Sequence, residues 1–143
     1  MHSMKAFLLT ATLVICSKPA FGLNVAIDAQ VPDKDISKIV VSTNLPETTK
    51  GYVAIHGGSE EYFQEIEVEV SGGYFIAQKP LKPTVLPPGK YTVEIALNPP
   101  QFQPSAVQSK IGHKGEFLEG HFVKAGMLGK SIHYTREIII DKD

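Results

Sequence analysis

Beyond residue 22 the chain alternates apolar and polar positions with a period of two, and clusters of Gly, Pro, Asn and Asp break the alternation at intervals of roughly 8 to 12 residues. Leu23, Val25 and Ile27 begin the pattern. A second run covers 36–43 and stops at Asn44-Leu45-Pro46, because proline has no N–H to donate to a ladder. Residues 51–56 place Val53 and Ile55 on one face and Tyr52, Ala54 and His56 on the other. In 60–70, Tyr62, Phe63 and Ile66 are also compatible with a helical turn, but Ile66, Val68 and Val70 then alternate strictly with Glu65, Glu67 and Glu69. Gly72-Gly73 turns this strand into a hairpin partner over 74–78.

Lys79-Pro80-Leu81-Lys82-Pro83 reads as a stiff connector, and Pro87-Pro88-Gly89-Lys90 has the residues of a type II turn. The clearest strand follows, with Tyr91, Val93, Ile95 and Leu97 on one face, and Asn98-Pro99-Pro100 ends it. Further strands are expected over 105–111 and 116–124, then a loop over 125–129 and a last strand over 130–140. No helix is expected that is long enough for a parallel crossover. The pattern therefore predicts an all-β fold, an antiparallel sandwich of about seven to nine strands, as one domain over 23–143.

The first 22 residues differ in kind. Lys5, the apolar run 6–16 and Ala20-Phe21-Gly22 have the order of a cleaved signal peptide, and the run is well short of the roughly 20 residues that span a bilayer. The expected mature chain, 23–143, is periplasmic or secreted and has no membrane span. Cys16 is the only cysteine, so this processing leaves no disulfide, thiolate nucleophile or thiolate ligand. Lipidation of Cys16 is disfavoured by Ile15 before it. Without Lys5 and Lys18 the chain holds 12 basic and 15 acidic residues. That mild acidity argues against nucleic acid as a partner.

Candidate chemistry is sparse. His56-Gly57-Gly58 resembles an esterase oxyanion loop, but no G-x-S-x-G elbow accompanies it, and a hairpin turn accounts for the glycines. His56, His113, His121 and His133 are the candidate ligands for copper or zinc, although they lie on four segments without metal-ligand spacing. Glu65, Glu67 and Glu69 lie about 7 Å apart on one strand face, as a calcium or cationic-partner surface or, in the favoured reading, as the solvated face of an edge strand. Phe102, in the stiff stretch 98–104, is the candidate contact for a partner. Pro80-Leu81-Lys82-Pro83 fits P-x-x-P, which a connector explains equally well.

Thr43-Asn44-Leu45-Pro46, Leu86-Pro87-Pro88-Gly89-Lys90-Tyr91 and Ile111-Gly112-His113-Lys114-Gly115 occur in that order. Over roughly residues 40 to 120 this resembles small secreted bacterial domains of immunoglobulin-like or transthyretin-like build. The resemblance implies the sandwich and carries no catalytic residue across. Those domains continue T-N-L-P with Asp-Gly-Thr; Glu47-Thr48-Thr49-Lys50-Gly51 implies a longer hairpin here. The resulting expectation is a non-enzymatic binding or accessory module without a cofactor, acting on another exported protein or an envelope component. A metal-handling protein using the histidines is the alternative. An inhibitor of an exported hydrolase, presenting a turn such as Gly57-Gly58-Ser59 or Gly112–Gly115, is the second.

Overall fold

A computed structural model describes residues 22–142; the expected signal peptide, 1–22, lies outside the described residues except for Gly22. The strands are β1 (Leu23–Asn24), β2 (Ile27–Gln30), β3 (Val40–Thr43), β4 (Lys50–Gly57), β5 (Tyr62–Ser71) and β6 (Tyr74–Ala77), followed by β7 (Gly89–Leu97). Helix α1 (Ser105–Ile111), β8 (Leu118–Glu119), β9 (Val123–Gly126) and β10 (Gly129–Ile140) complete the chain. Eight strands form one antiparallel sheet in the order β2-β3-β6-β5-β4-β7-β10-β9, and β1 and β8 form a short parallel pair. The sheet curls so that its halves face each other as the layers of an all-β sandwich do. Alternation supplies the interior: Val53, Ile55, Val70, Val93 and Ile95 are at most 1% exposed. Burying an apolar side chain of this size contributes about 1.5–3 kcal/mol.

The curl brings β10 back to β2, whose outer edge has no strand beside it among the described residues. Side chains close this seam. Ala29 N–H donates to Tyr134 Oη at 3.3 Å, and Arg136 Nη1 donates to Ala29 O at 2.7 Å and to Asp28 Oδ1 at 3.1 Å. The same device recurs twice. Asn44 Oδ1 accepts from Ala26 N–H and Asn44 Nδ2 donates to Asn24 O, both at 2.8 Å. Gln103 Oε1 accepts from Lys50 N–H at 2.9 Å, while Gln103 Nε2 donates to Lys50 O and Asn98 O at 2.8 and 3.0 Å. In each case a side-chain amide reproduces the donor and acceptor of a strand residue.

Several expectations need correction. Residues 105–111 are helical, not extended. Val107 and Ile111, four apart, share a face in either geometry, and both are buried. Pro104 precedes the helix and Gly112, at φ 95°, ends it. The strand expected over 36–43 begins at Val40, because Asp35 Oδ1 accepts from Ser37 N–H and Oγ and starts a 3₁₀ turn at Ile36–Lys38. The return strand over 116–124 shrinks to β8 and the start of β9, interrupted by Gly120 at φ 115°. What was expected as a loop over 125–129 is the end of β9 and the β9–β10 hairpin turn.

The link after T-N-L-P is not a hairpin: β4 pairs with β5 and β7, so residues 44–49 cross the end of the sheet. Thr49 Oγ1 donates to Pro46 O at 2.7 Å within that crossing. At Pro87–Lys90 a side chain replaces the expected backbone turn bond, since Tyr91 Oη donates to Pro87 O at 2.7 Å. Burial pushes the Tyr91 phenol above its ordinary value. Its ring also dictates the glycine before it in space: a Cβ on Gly58, at φ 75°, would lie 2.7 Å from Tyr91 Oη.

Two measurements test these assignments. Gln103→Ala removes the side-chain partner of the Lys50 N–H and of the Asn98 C=O, while Lys50 O keeps its bond from the Asn98 N–H, and is expected to cost about 2 kcal/mol in urea unfolding. A loss no larger than that of an exposed substitution would remove Gln103 from its ladder role. The Asp35 carboxyl is held below its ordinary value chiefly by the Ser37 N–H, then by the Ser37 hydroxyl and the Thr84 N–H. Its contribution to stability is therefore full above the unfolded value of 3.8 and is lost as pH falls through the lower folded value. The stability gap between the protein and Asp35→Asn should be widest at neutral pH and close in strong acid.

Candidate functional site

The Gln103 amide determines what happens at one end of the sandwich. Its attachment to Lys50 pulls residue 103 inward, where it is buried, and the preceding residues fold into a 3₁₀ turn, Pro100–Phe102. Phe102 N–H donates to Pro99 O and Gln103 N–H to Pro100 O. Pro99 and Pro100 limit the backbone of this turn, and Phe102 emerges from it 71% exposed. Beside it stands the β9–β10 hairpin tip, where Met127 is fully exposed and Leu128 is 56% exposed. Gln101 Nε2 donates to Leu128 O at 2.9 Å and joins the two segments. Between them lies a cleft of about 650 Å³ lined by Pro99, Pro100, Ala125, Met127 and Leu128 among others. Phe102 was legible in the sequence. Met127 and Leu128 were not, because residues 125–129 read as an unpaired loop with no sign of what they would adjoin.

The acidic triplet lies on the outward face of β5. Glu65 is opposite Ala54, Glu67 opposite Tyr52 and Glu69 opposite Lys50 on β4. Among the described residues only Glu69 of the three has a cation close, with Lys50 Nζ at 4.0 Å, and both groups are partly exposed. In strand order β5 lies inside the sheet, between β6 and β4. The edge-strand reading of the triplet therefore fails for the C-terminal half of β5, where β6 pairs with Val68–Ser71. Below β5 and β6 the interior opens into a cavity of about 490 Å³. Ile39, Val53, Ile66 and Val68 line it, and Lys79–Leu81 lies at its rim.

The histidines divide into a pair and two singles. His56 on β4 and His133 on β10 flank Glu94 on β7, with Nε2 of each 3.2 and 3.3 Å from a different carboxylate oxygen. Alternation across three adjacent strands makes this diagonal arrangement: His56 is opposite Thr92, and His133 is opposite Ala96. Each imidazole, when protonated, forms an ion pair with Glu94 in the partly exposed outer face. His113 Nδ1 lies 2.9 Å from Gln108 Oε1, and His121 packs against Phe122 with ring centroids 4.0 Å apart and the planes tilted by 48°. Among the described residues no set of three or more His, Cys, Asp or Glu is arranged to hold a metal ion. Linear spacing could not reveal the His56–Glu94–His133 cluster, because strand register assembles it across 78 positions.

No family model, curated protein or solved structure matches the chain.

Proposed function

We propose that the protein is an exported, non-enzymatic binding module that docks another exported protein or envelope component through the apolar end of its sandwich. The observation that carries this reading is that Met127 and Leu128, exposed at the 650 Å³ cleft, are joined through the Gln101–Leu128 bond to the turn that presents exposed Phe102. Large apolar side chains scattered singly over a surface have no particular meaning, but a contiguous group around a concavity is the anatomy of a contact site. The partner chemistry follows from the lining. Proline, alanine, methionine and leucine supply most of the lining, with Lys124 its one charged residue, so an apolar side chain of a partner fits the cleft. Aromatic residues and methionine are enriched at the centres of such interfaces. The elements holding the patch are pinned, because Gln108 Nε2 donates to Gln101 O and Gln103 O at 3.3 and 3.0 Å. Binding therefore requires little ordering of the backbone.

Photocrosslinking in the living cell tests the proposal. A benzophenone amino acid placed at Phe102, and separately at Met127, is expected to yield one and the same covalent adduct, identifiable by mass spectrometry as an exported protein. The same probe at the exposed Lys142 should yield none. Equal labelling from Lys142, or no adduct at either apolar position, would sink the assignment.

A further inference from the structure

Hairpin β5–β6 stops pairing in the middle of β5, and the cause is one residue. The ladder pairs Val68 with Ala77, and Gln78 N–H still donates to Glu67 O at 2.9 Å. Extended residue by residue, the same register sets Pro80 against Glu65. Strand alternation makes that a hydrogen-bonded position, the kind that Glu67 and Gln78 already occupy, and proline has no N–H to give it. The connector leaves the sheet at this point. On the side β6 would have occupied, the N–H and C=O of Phe63 and Glu65 have no strand partner among the described residues, while β4 continues to pair with the opposite edge down to Tyr62.

This half-edge is unlike the seam at Ala29 or the ends at Asn24 and Lys50, where side chains substitute for the missing strand. It opens on a slot of about 230 Å³ between Gln64–Glu67 and Lys79–Leu81. The slot shares Ile66, Lys79, Pro80 and Leu81 with the 490 Å³ interior cavity. Gln64, whose parity directs it inward, is exposed, as expected where the sheet lacks its neighbour. Phe63 on the outward face is 63% exposed.

We infer that this slot is a strand-addition site, independent of the apolar end, for an extended segment of another protein in which basic and apolar residues alternate. The backbone of the segment pairs with Phe63 and Glu65 as β6 would have done. Residues opposite Gln64 and Ile66 enter the interior cavity beside Val53, Val68 and Leu81, so they are apolar. The residue opposite Glu65 stands outward with Glu67 diagonal to it, so it is Lys or Arg, with its methylene stem covering Phe63. A second copy of this chain pairing edge to edge at β5 is disfavoured, because antiparallel self-pairing sets Glu65 and Glu67 against the same carboxylates of the copy.

The probe is a blocked peptide of about six residues, a typical strand length, alternating lysine and valine. A valine–glutamate peptide of equal length serves as the control. Amide exchange and chemical shifts followed by NMR on the purified protein should show the Phe63 and Glu65 amides becoming protected with the lysine peptide. The glutamate peptide should bind about tenfold more weakly or worse. Pro80→Val restores the missing donor and lets β6 run on along β5. It should protect the Glu65 amide without any peptide and abolish the response to peptide, whereas Phe102→Ala should leave the response unchanged. Absence of protection at Phe63 and Glu65 at saturating peptide, equal response to both peptides, or loss of binding in Phe102→Ala would each overturn the inference. Failure here leaves crosslinking at Phe102 and Met127 as a separate result.

Discussion

An unpaired backbone N–H or C=O at a strand edge is costly when water is kept from it, and a curled sheet of staggered strands produces such groups wherever one strand outlasts its neighbour. In this protein Asn44, Gln103, Tyr134 and Arg136 supply the missing partners with side chains. Each sits on a segment far along the chain from the backbone it serves, so these bonds also set where connections run. Asn44 holds the crossing from β3 toward β4 against β1 and β2. Gln103 fastens the segment before α1 to the start of β4, which in turn places Val107 and Ile111 over the core.

The surface features that support a binding role are by-products of the same requirement. Turning Gln103 inward turns Phe102 outward, and joining Gln101 to Leu128 sets the hairpin tip beside it. The half-edge of β5 is the converse, since there proline in the connector denies the sheet its partner and, among the described residues, no side chain replaces it. The apolar end offers area and shape; the half-edge offers directional hydrogen bonds. Together the two surfaces offer a partner a pocket for one side chain and an edge for one strand.

Much of the architecture was legible because period-two alternation is a local property. Tyr91, Val93, Ile95 and Leu97 could be placed in the core from their spacing, and Gly72-Gly73 marked the β5–β6 hairpin. Legibility failed where a spacing satisfies two geometries, as with Val107 and Ile111, or where one side chain captures the backbone, as Asp35 does at Ser37. It failed again for function. His56 and His133 meet at Glu94 through register alone, and the Glu65-Glu67-Glu69 stripe reads identically on an edge strand and on one that is an edge for only half its length.

The sequence by itself determined an all-β chain, most of its strands and turns, the face of each strand that fills the core, and Phe102 as a stiff, exposed aromatic. These follow from alternation and from the dihedral limits of Gly and Pro, which act within a few residues. Only the tertiary structure decided strand order, the crossing after β3, the side-chain closure of the seam, and the neighbours of Phe102 and Glu65. Those depend on which distant backbone groups remain unpaired once the sheet has curled, and no local pattern encodes that count.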